Sequence, residues 1–247
     1  MKKVLNFITG LLWKAFFVLL MLVTLSLLPC QLLSRLFLSK HRQRRNAWRV
    51  ARVWGKITFL STGSKLKISG LENIPAEGPI CFIGNHQSYF DVPVLLGFMG
   101  RPLGFIAMQE LAKVPVLNLW MKELPSFFLD RENPRQALKI FKEAAQAMKD
   151  GVPMLIFPEG RRALSSQVAQ FHLGSLKLAQ MAGATIVPFA LDGTWQMYEI
   201  DGNIHPSRVR LQVLPSISPQ DPLYQDKDAL AEHLRSSIEK HIQQPAS

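Results

Sequence analysis

The chain has 247 residues, with 29 Lys or Arg against 18 Asp or Glu, a formal net charge of +11 and two cysteines. Two cysteines in apolar surroundings, Cys30 and Cys81, imply no disulfide framework and read as buried thiols in a reducing compartment. The basic surplus is local: residues 1–70 carry thirteen Lys or Arg and no Asp or Glu, leaving sixteen cations against eighteen carboxylates elsewhere. That pattern argues against nucleic-acid binding, which needs a basic face on a folded domain.

Residues 15–34 form an uncharged run, about 30 Å long if helical and just sufficient to cross a bilayer. Cations lie on both sides of it, Lys2, Lys3 and Lys14 before and Arg35, Lys40, Arg42, Arg44 and Arg45 after, without the asymmetry of a spanning helix. Pro29 sits late in the run, and the basic stretch that follows interleaves Trp48, Val50, Val53, Trp54, Ile57 and Phe59. This composition suits an interfacial helix on anionic lipid. The expectation is a two-helix, half-inserted membrane anchor over residues 1–62, with both ends of the run and the catalytic domain facing the cytoplasm. A cleaved signal peptide is disfavoured because no small-x-small site follows the run.

Residues 63–247 read as one α/β domain, enough chain for a single core. Strands are predicted at 65–69, 80–83, 103–107, 126–129, 153–157, 185–190 and 209–213, and helices at 91–99, 134–149, 175–181 and 227–242. Alternating strands and helices predict a single, mainly parallel sheet flanked by helices. Pro134 at a helix start and Gly151 just past its end follow the usual terminal asymmetry. No internal repeat, low-complexity tract or long linker is present.

The stretch Asn85-His86-Gln87-Ser88-Tyr89-Phe90-Asp91 places an imidazole and a carboxylate five residues apart, just after an apolar strand. On a helix, positions i and i+5 lie about 140° apart, so the pair meets only across a turn. A His there, with an Asp entering the first helical turn, can be a general base whose tautomer the carboxylate fixes. The competing account is a capping His and an Asp favoured by the helix dipole. No G-x-S-x-G elbow, P-loop or C-x-x-C pair is present, and Ser88 is the only nearby hydroxyl. The substrate is therefore expected to bring the attacking group.

Four segments, taken in order, resemble the four blocks of the glycerophospholipid acyltransferases, the 1-acylglycerol-3-phosphate acyltransferase family. They are residues 85–91, then Phe127-Phe128-Leu129-Asp130-Arg131, Phe157-Pro158-Glu159-Gly160-Arg161-Arg162, and Val187-Pro188-Phe189-Ala190-Leu191. The resemblance runs from about residue 66 to residue 214. It implies that His86, the only candidate base in these segments, deprotonates the acceptor's hydroxyl for direct attack on an acyl thioester. Asp91 would orient the imidazole and stabilise the imidazolium without taking the proton.

The resemblance also implies that Arg131 and Arg162 hold an acceptor phosphate, a task that suits an Arg fork. Arg131 has a competing reading as a strand-end ion pair with Asp130 or Glu132. Glu159, Gly160 and Arg161 join the expected substrate contacts, Gly160 by allowing close backbone approach. The chain departs from the family pattern at Pro125, where a Gly is usual, and at Arg161 and Ala163, where Thr and Ser are usual. A family Lys is missing from Met108-Gln109-Glu110-Leu111, and an F-K-K-G-like stretch reads Phe171-His172-Leu173-Gly174. A strict preference for a phosphate monoester is thereby placed in question.

The implied function is membrane-bound transfer of a fatty acyl group from acyl carrier protein or coenzyme A to a lysophospholipid, with 1-acylglycerol 3-phosphate the first expected acceptor. Anionic membrane lipid, the lysophospholipid and the thioester are the expected partners. No cofactor or metal is expected. An acyltransferase for another lysophospholipid is the nearest alternative. A thioesterase or lipid hydrolase leaves the Arg pair unexplained, and a non-catalytic membrane module leaves His86 and Asp91 unexplained.

Overall fold

The structure is a computed structural model that describes residues 2–130 and 133–242. The chain starts with two long helices, α1 (Lys2–Leu33) and α2 (Lys40–Leu60), joined through a short 3-10 turn. α1 continues through Pro29. Its residues Ile8, Leu11, Leu12, Val18, Leu19 and Leu22 are exposed, and its length and composition suffice to cross a membrane. The hydroxyls of Thr24 and Ser26 donate to Met21 O and Val23 O within the helix, which leaves neither looking for water. Cys30 is exposed on this helix, contrary to the sequence expectation of a buried thiol. An apolar neighbourhood in sequence placed it in the right helix, but the face it occupies is not packed against protein. Cys81 is buried, and burial pushes its thiol up to about 12.

After α2 come β1 (Lys65–Ser69), β2 (Ile80–Gly84), α3 (Asp91–Phe98), β3 (Gly104–Met108), α4 (Leu117–Glu123), β4 (Phe127–Leu129) and α5 (Pro134–Lys149). The rest is β5 (Met154–Ile156), α6 (Leu173–Ala182), β6 (Thr185–Asp192), β7 (Arg208–Val213) and α7 (Lys227–Ile242). All seven predicted strands and four domain helices are present, with ends shifted by at most two residues. α4 has no counterpart in the sequence reading, because seven residues are too few to display a helical period.

The strands form one sheet in the order β1-β7-β6-β2-β5-β3-β4. Every pairing is parallel except β6 with β7, so β1 and β7 run opposite to the other five. The sheet is mixed and mostly parallel. β7 can turn back beside β6 because only a 3-10 turn (Trp195–Met197) stands between them, where a parallel return would need a crossover helix.

Side chains alternate between two buried layers. Cys81 and Ile83 of β2 and Met154 and Ile156 of β5 point into a core closed by α5, α6 and α7. Ile80, Phe82 and Leu155 point the other way, towards α2, α3 and α4. α2 is thus packed into the domain, contributing Ala47, Ala51 and Phe59 to its core. Gly55 permits that approach: a Cβ there would stand 2.5 Å from the Pro93 carbonyl oxygen on α3. Because β2, β5 and β6 are parallel, their C-terminal ends open at one edge. The loops leaving that edge are where open α/β sheets place their sites.

Candidate active site

β2 ends at Gly84 and α3 begins at Asp91, so residues 85–90 form the turn predicted between a strand and a helix. Across it the Nδ1 of His86 lies 2.6 Å from Oδ2 of Asp91. The same carboxylate oxygen accepts the backbone N–H groups of Gln87, at 2.6 Å, and Ser88, at 3.0 Å. Its other oxygen accepts the hydroxyl of Thr194. Four donors therefore converge on a fully buried carboxylate. With Nδ1–H committed to Asp91, Nε2 is the free nitrogen of His86, and the ring keeps 18% of its side-chain surface exposed. A base oriented in this way can accept a proton from a bound hydroxyl.

The ring is also fixed from its face. Phe157, at the end of β5, stacks on it with centroids 4.0 Å apart and planes 10° from parallel, and Phe189 of β6 backs Phe157 edge-on. The turn is pinned to β6 by Asn85, whose amide both donates to Leu191 O and accepts from Leu191 N. Gln87 accepts from Gly193 N on the following loop. Asn85, Phe157 and Leu191 fell within the four matching segments without an assigned task. Thr194 lies just outside them, and no spacing rule in the sequence points to it.

The loop after β5 carries Glu159, Gly160, Arg161 and Arg162. Gly160 adopts φ +75, a left-handed conformation that turns the chain and that glycine reaches without a steric penalty. Leu164 is also left-handed, at φ 58, which costs a non-glycine residue roughly 1 to 2 kcal/mol. This strain is held by backbone bonds from Ala163 N to His86 O and from Leu164 N to Gln87 O. The loop is thereby tied to the base's own turn.

Glu159, expected among the substrate contacts, faces inward with 3% of its surface exposed. One oxygen accepts His86 N at 2.7 Å and the other accepts Ala169 N at 2.8 Å. Both oxygens are occupied, so it acts as a strut between the His86 turn and the arginine loop. Burial pushes its carboxyl above the ordinary value, against the lowering effect of the two N–H bonds.

Arg162 packs against the turn that carries the base. Its Nη1 donates to Oε1 of Glu199 at 2.8 Å, and its guanidinium lies over the ring of Tyr89, 3.4 Å from the centroid. Arg161 is exposed. Arg131 lies outside the described residues, so the structure places His86, Asp91, Glu159, Gly160 and Arg162 together and says nothing of Arg131. Gln109, where the family Lys is missing, and His172 are both exposed. Among the described residues no group of three or more His, Cys, Asp or Glu is placed to hold a metal. Cation, oriented base and a strand-end opening together can bind an anionic alcohol and take its proton.

A chloroplastic 1-acyl-sn-glycerol-3-phosphate acyltransferase of Arabidopsis thaliana is 28% identical over 193 residues, covering 76% of this chain and 52% of that protein. The 1-acyl-sn-glycerol-3-phosphate acyltransferase of Pseudomonas aeruginosa is 34% identical over 155 residues, covering 62% of this chain and 59% of that protein. The chain spans about half the length of the curated relatives it matches first. The crystal structure of a 1-acyl-sn-glycerophosphate acyltransferase, PlsC, from Thermotoga maritima shares the fold, with a TM-score of 0.81 over 98% of this chain and 100% of that one, at 24% identity. A sequence model of the Acyltransferase family matches residues 65–192, more than half of the chain and including His86, Asp91 and the Glu159 to Arg162 loop, and the chain belongs to that family.

Proposed function

We propose that this protein transfers a fatty acyl group from a thioester, of acyl carrier protein or coenzyme A, to the free hydroxyl of a lysophospholipid. The first acceptor is 1-acylglycerol 3-phosphate, giving phosphatidic acid. The observation that carries the reading is the 2.6 Å contact between His86 Nδ1 and Asp91, with Arg162 held over Tyr89 of the same turn. Nε2 takes the hydroxyl proton as the oxygen attacks the thioester carbonyl. The carbonyl carbon gains the C–O bond, the C–S bond breaks, and the proton passes from the imidazolium to the departing thiolate. Asp91 stabilises the imidazolium between these steps. Arg162, with Arg131 and Arg161, grips the acceptor's phosphate.

Membrane attachment belongs to the same reading. α1 rests half-inserted with its exposed leucines in the acyl region, and α2 lays its basic residues against anionic headgroups of the cytoplasmic membrane. The domain faces the cytoplasm, where the thioesters are. Replacing Leu11, Leu19 and Leu22 together by Glu should move the folded protein from membranes to the soluble fraction. A cysteine at position 5, with Cys30 replaced and the buried Cys81 left in place, reports topology: labelling from the cytoplasmic side only fits half-insertion, and labelling from the far side means that α1 spans.

Membranes containing the protein, offered a panel of lysophospholipids with both donors, test the activity by lipid product. Phosphatidic acid as the main product supports the reading. A preference for a diester headgroup would keep the chemistry and change the acceptor, as the missing Lys at Gln109 would allow. Free fatty acid as the sole product would replace transfer with hydrolysis.

A further inference from the structure

Glu199 belongs to none of the four family segments, and acyl transfer itself calls for no carboxylate at its position. It follows the 3-10 turn between β6 and β7, and its side chain keeps only 8% of its surface exposed. One of its oxygens, Oε1, does two things. It accepts Nη1–H of Arg162 at 2.8 Å, and it accepts the backbone N–H of Tyr89 at 3.0 Å. Tyr89 in turn covers one face of the same guanidinium, 3.4 Å from the ring centroid.

Arg162 is therefore held by one edge and one face, and its backbone neighbour Ala163 is hydrogen-bonded to His86 O. Its side chain keeps 25% of its surface exposed, so part of the fork stays open. An arginine side chain carries about 2 kcal/mol of rotamer entropy, which a ligand must otherwise overcome in fixing it. Here the protein fixes it beforehand.

We propose that Glu199 is a positioning residue for the acceptor: by holding Nη1 of Arg162 against the Tyr89 ring, it aims the remaining N–H donors at the acceptor's anionic phosphate. The proposal rests on the reading of Arg162 as an acceptor contact. Glu199 touches no substrate. It acts through Arg162, in the way that Asp91 acts through His86. The carboxylate also offsets the arginine's charge, so removing it has two opposed consequences, looser geometry and a more positive site. The double use of Oε1 and the stacked face make geometry the larger effect.

Steady-state kinetics on the full-length protein in membranes, with lysophosphatidic acid and acyl thioester varied separately, test this. Glu199→Ala should raise the acceptor's KM about tenfold, the lower range of a charge-assisted hydrogen bond, and leave the donor's KM unchanged. Glu199→Gln keeps an oxygen for both N–H donors and should lie closer to wild type. In the Arg162→Ala background, Glu199→Ala should add nothing, since residues that act through one another are not additive.

Equal loss towards both substrates, or an additive double variant, would make Glu199 a structural residue only. A fall in the acceptor's KM would make it a repulsive charge and overturn positioning. If Arg162→Ala itself leaves the acceptor's KM unchanged, the acceptor contact fails and this inference with it. If Arg162→Ala raises it while Glu199→Ala and Glu199→Gln do not, this inference alone fails.

Discussion

Asp91 is fully buried and receives four hydrogen-bond donors, two of them backbone N–H groups of its own turn, whereas Arg162 is partly exposed and is held by one carboxylate and one ring. The base side is built from backbone that the sheet has already fixed. The arginine side hangs from a loop and depends on side chains that can be exchanged one at a time. A general base must reach its proton within a few tenths of an ångström, while a phosphate can be approached by a charge from several directions. The difference teaches that the chemistry of this site should be brittle and its acceptor preference adjustable.

The largest effect tests the brittle side. His86→Ala should lower kcat by about 10² to 10⁴-fold, the range of positioned base catalysis. Asp91→Asn should lose nearly as much activity. It should also unfold earlier, because an amide oxygen accepts more weakly than a carboxylate from the three donors that meet at Oδ2. Activity within threefold of wild type for His86→Ala would remove the base assignment.

Thr194→Val comes next and separates orientation from chemistry. The substitution keeps the volume and removes the hydroxyl donated to Asp91. It should lower kcat less than His86→Ala, leave both KM values in place and cost roughly 1 kcal/mol of stability. A kcat equal to wild type would show that the two backbone N–H groups suffice to hold the carboxylate.

The adjustable side responds in KM. Arg162→Ala should raise the acceptor's KM about tenfold or more while sparing the donor's. Arg161→Thr should do less, because Arg161 is exposed and has no carboxylate or ring to aim it among the described residues. If Arg161→Thr has the larger effect, the exposed arginine has taken over the role of the absent Lys.

What the sequence revealed follows the same division. The His86–Asp91 spacing, the strand before it and the helix after it are local features, so alternation and helix-start chemistry were enough to place them. All seven strands were readable for the same reason: β1 and β7 alternate apolar with polar residues and the other five are short, mainly apolar runs. Thr194, Glu199 and the Tyr89 ring were not readable as partners of Asp91 and Arg162. They reach the site across more than thirty residues of chain or by the direction in which an exposed aromatic points, and neither leaves a periodic signal. Glu159 was found, but its two backbone partners were not. A carboxylate beside two arginines looks in sequence like their counter-charge, and only the backbone N–H groups of His86 and Ala169 reveal where its oxygens go.

Glu159 joins the two sides, and the smallest predicted effect concerns it. Burial pushes its carboxyl above the ordinary value, so the folded protein holds that proton more tightly than the unfolded chain does. The group's contribution to stability is then greatest below the unfolded value of about 4.3, declines as pH rises through the raised value and is constant above it. Glu159→Gln removes this dependence, and at every pH it leaves one of the two backbone N–H groups facing an amide nitrogen, a cost of about 1 to 3 kcal/mol. Wild type should therefore be the more stable protein, by a margin that shrinks as pH rises from the unfolded value through the raised one, because the other carboxylates cancel in the difference. Urea unfolding of both proteins across that range measures the margin. A margin that grows with pH would mean that the two N–H bonds outweigh burial and that the strut is strongest when charged.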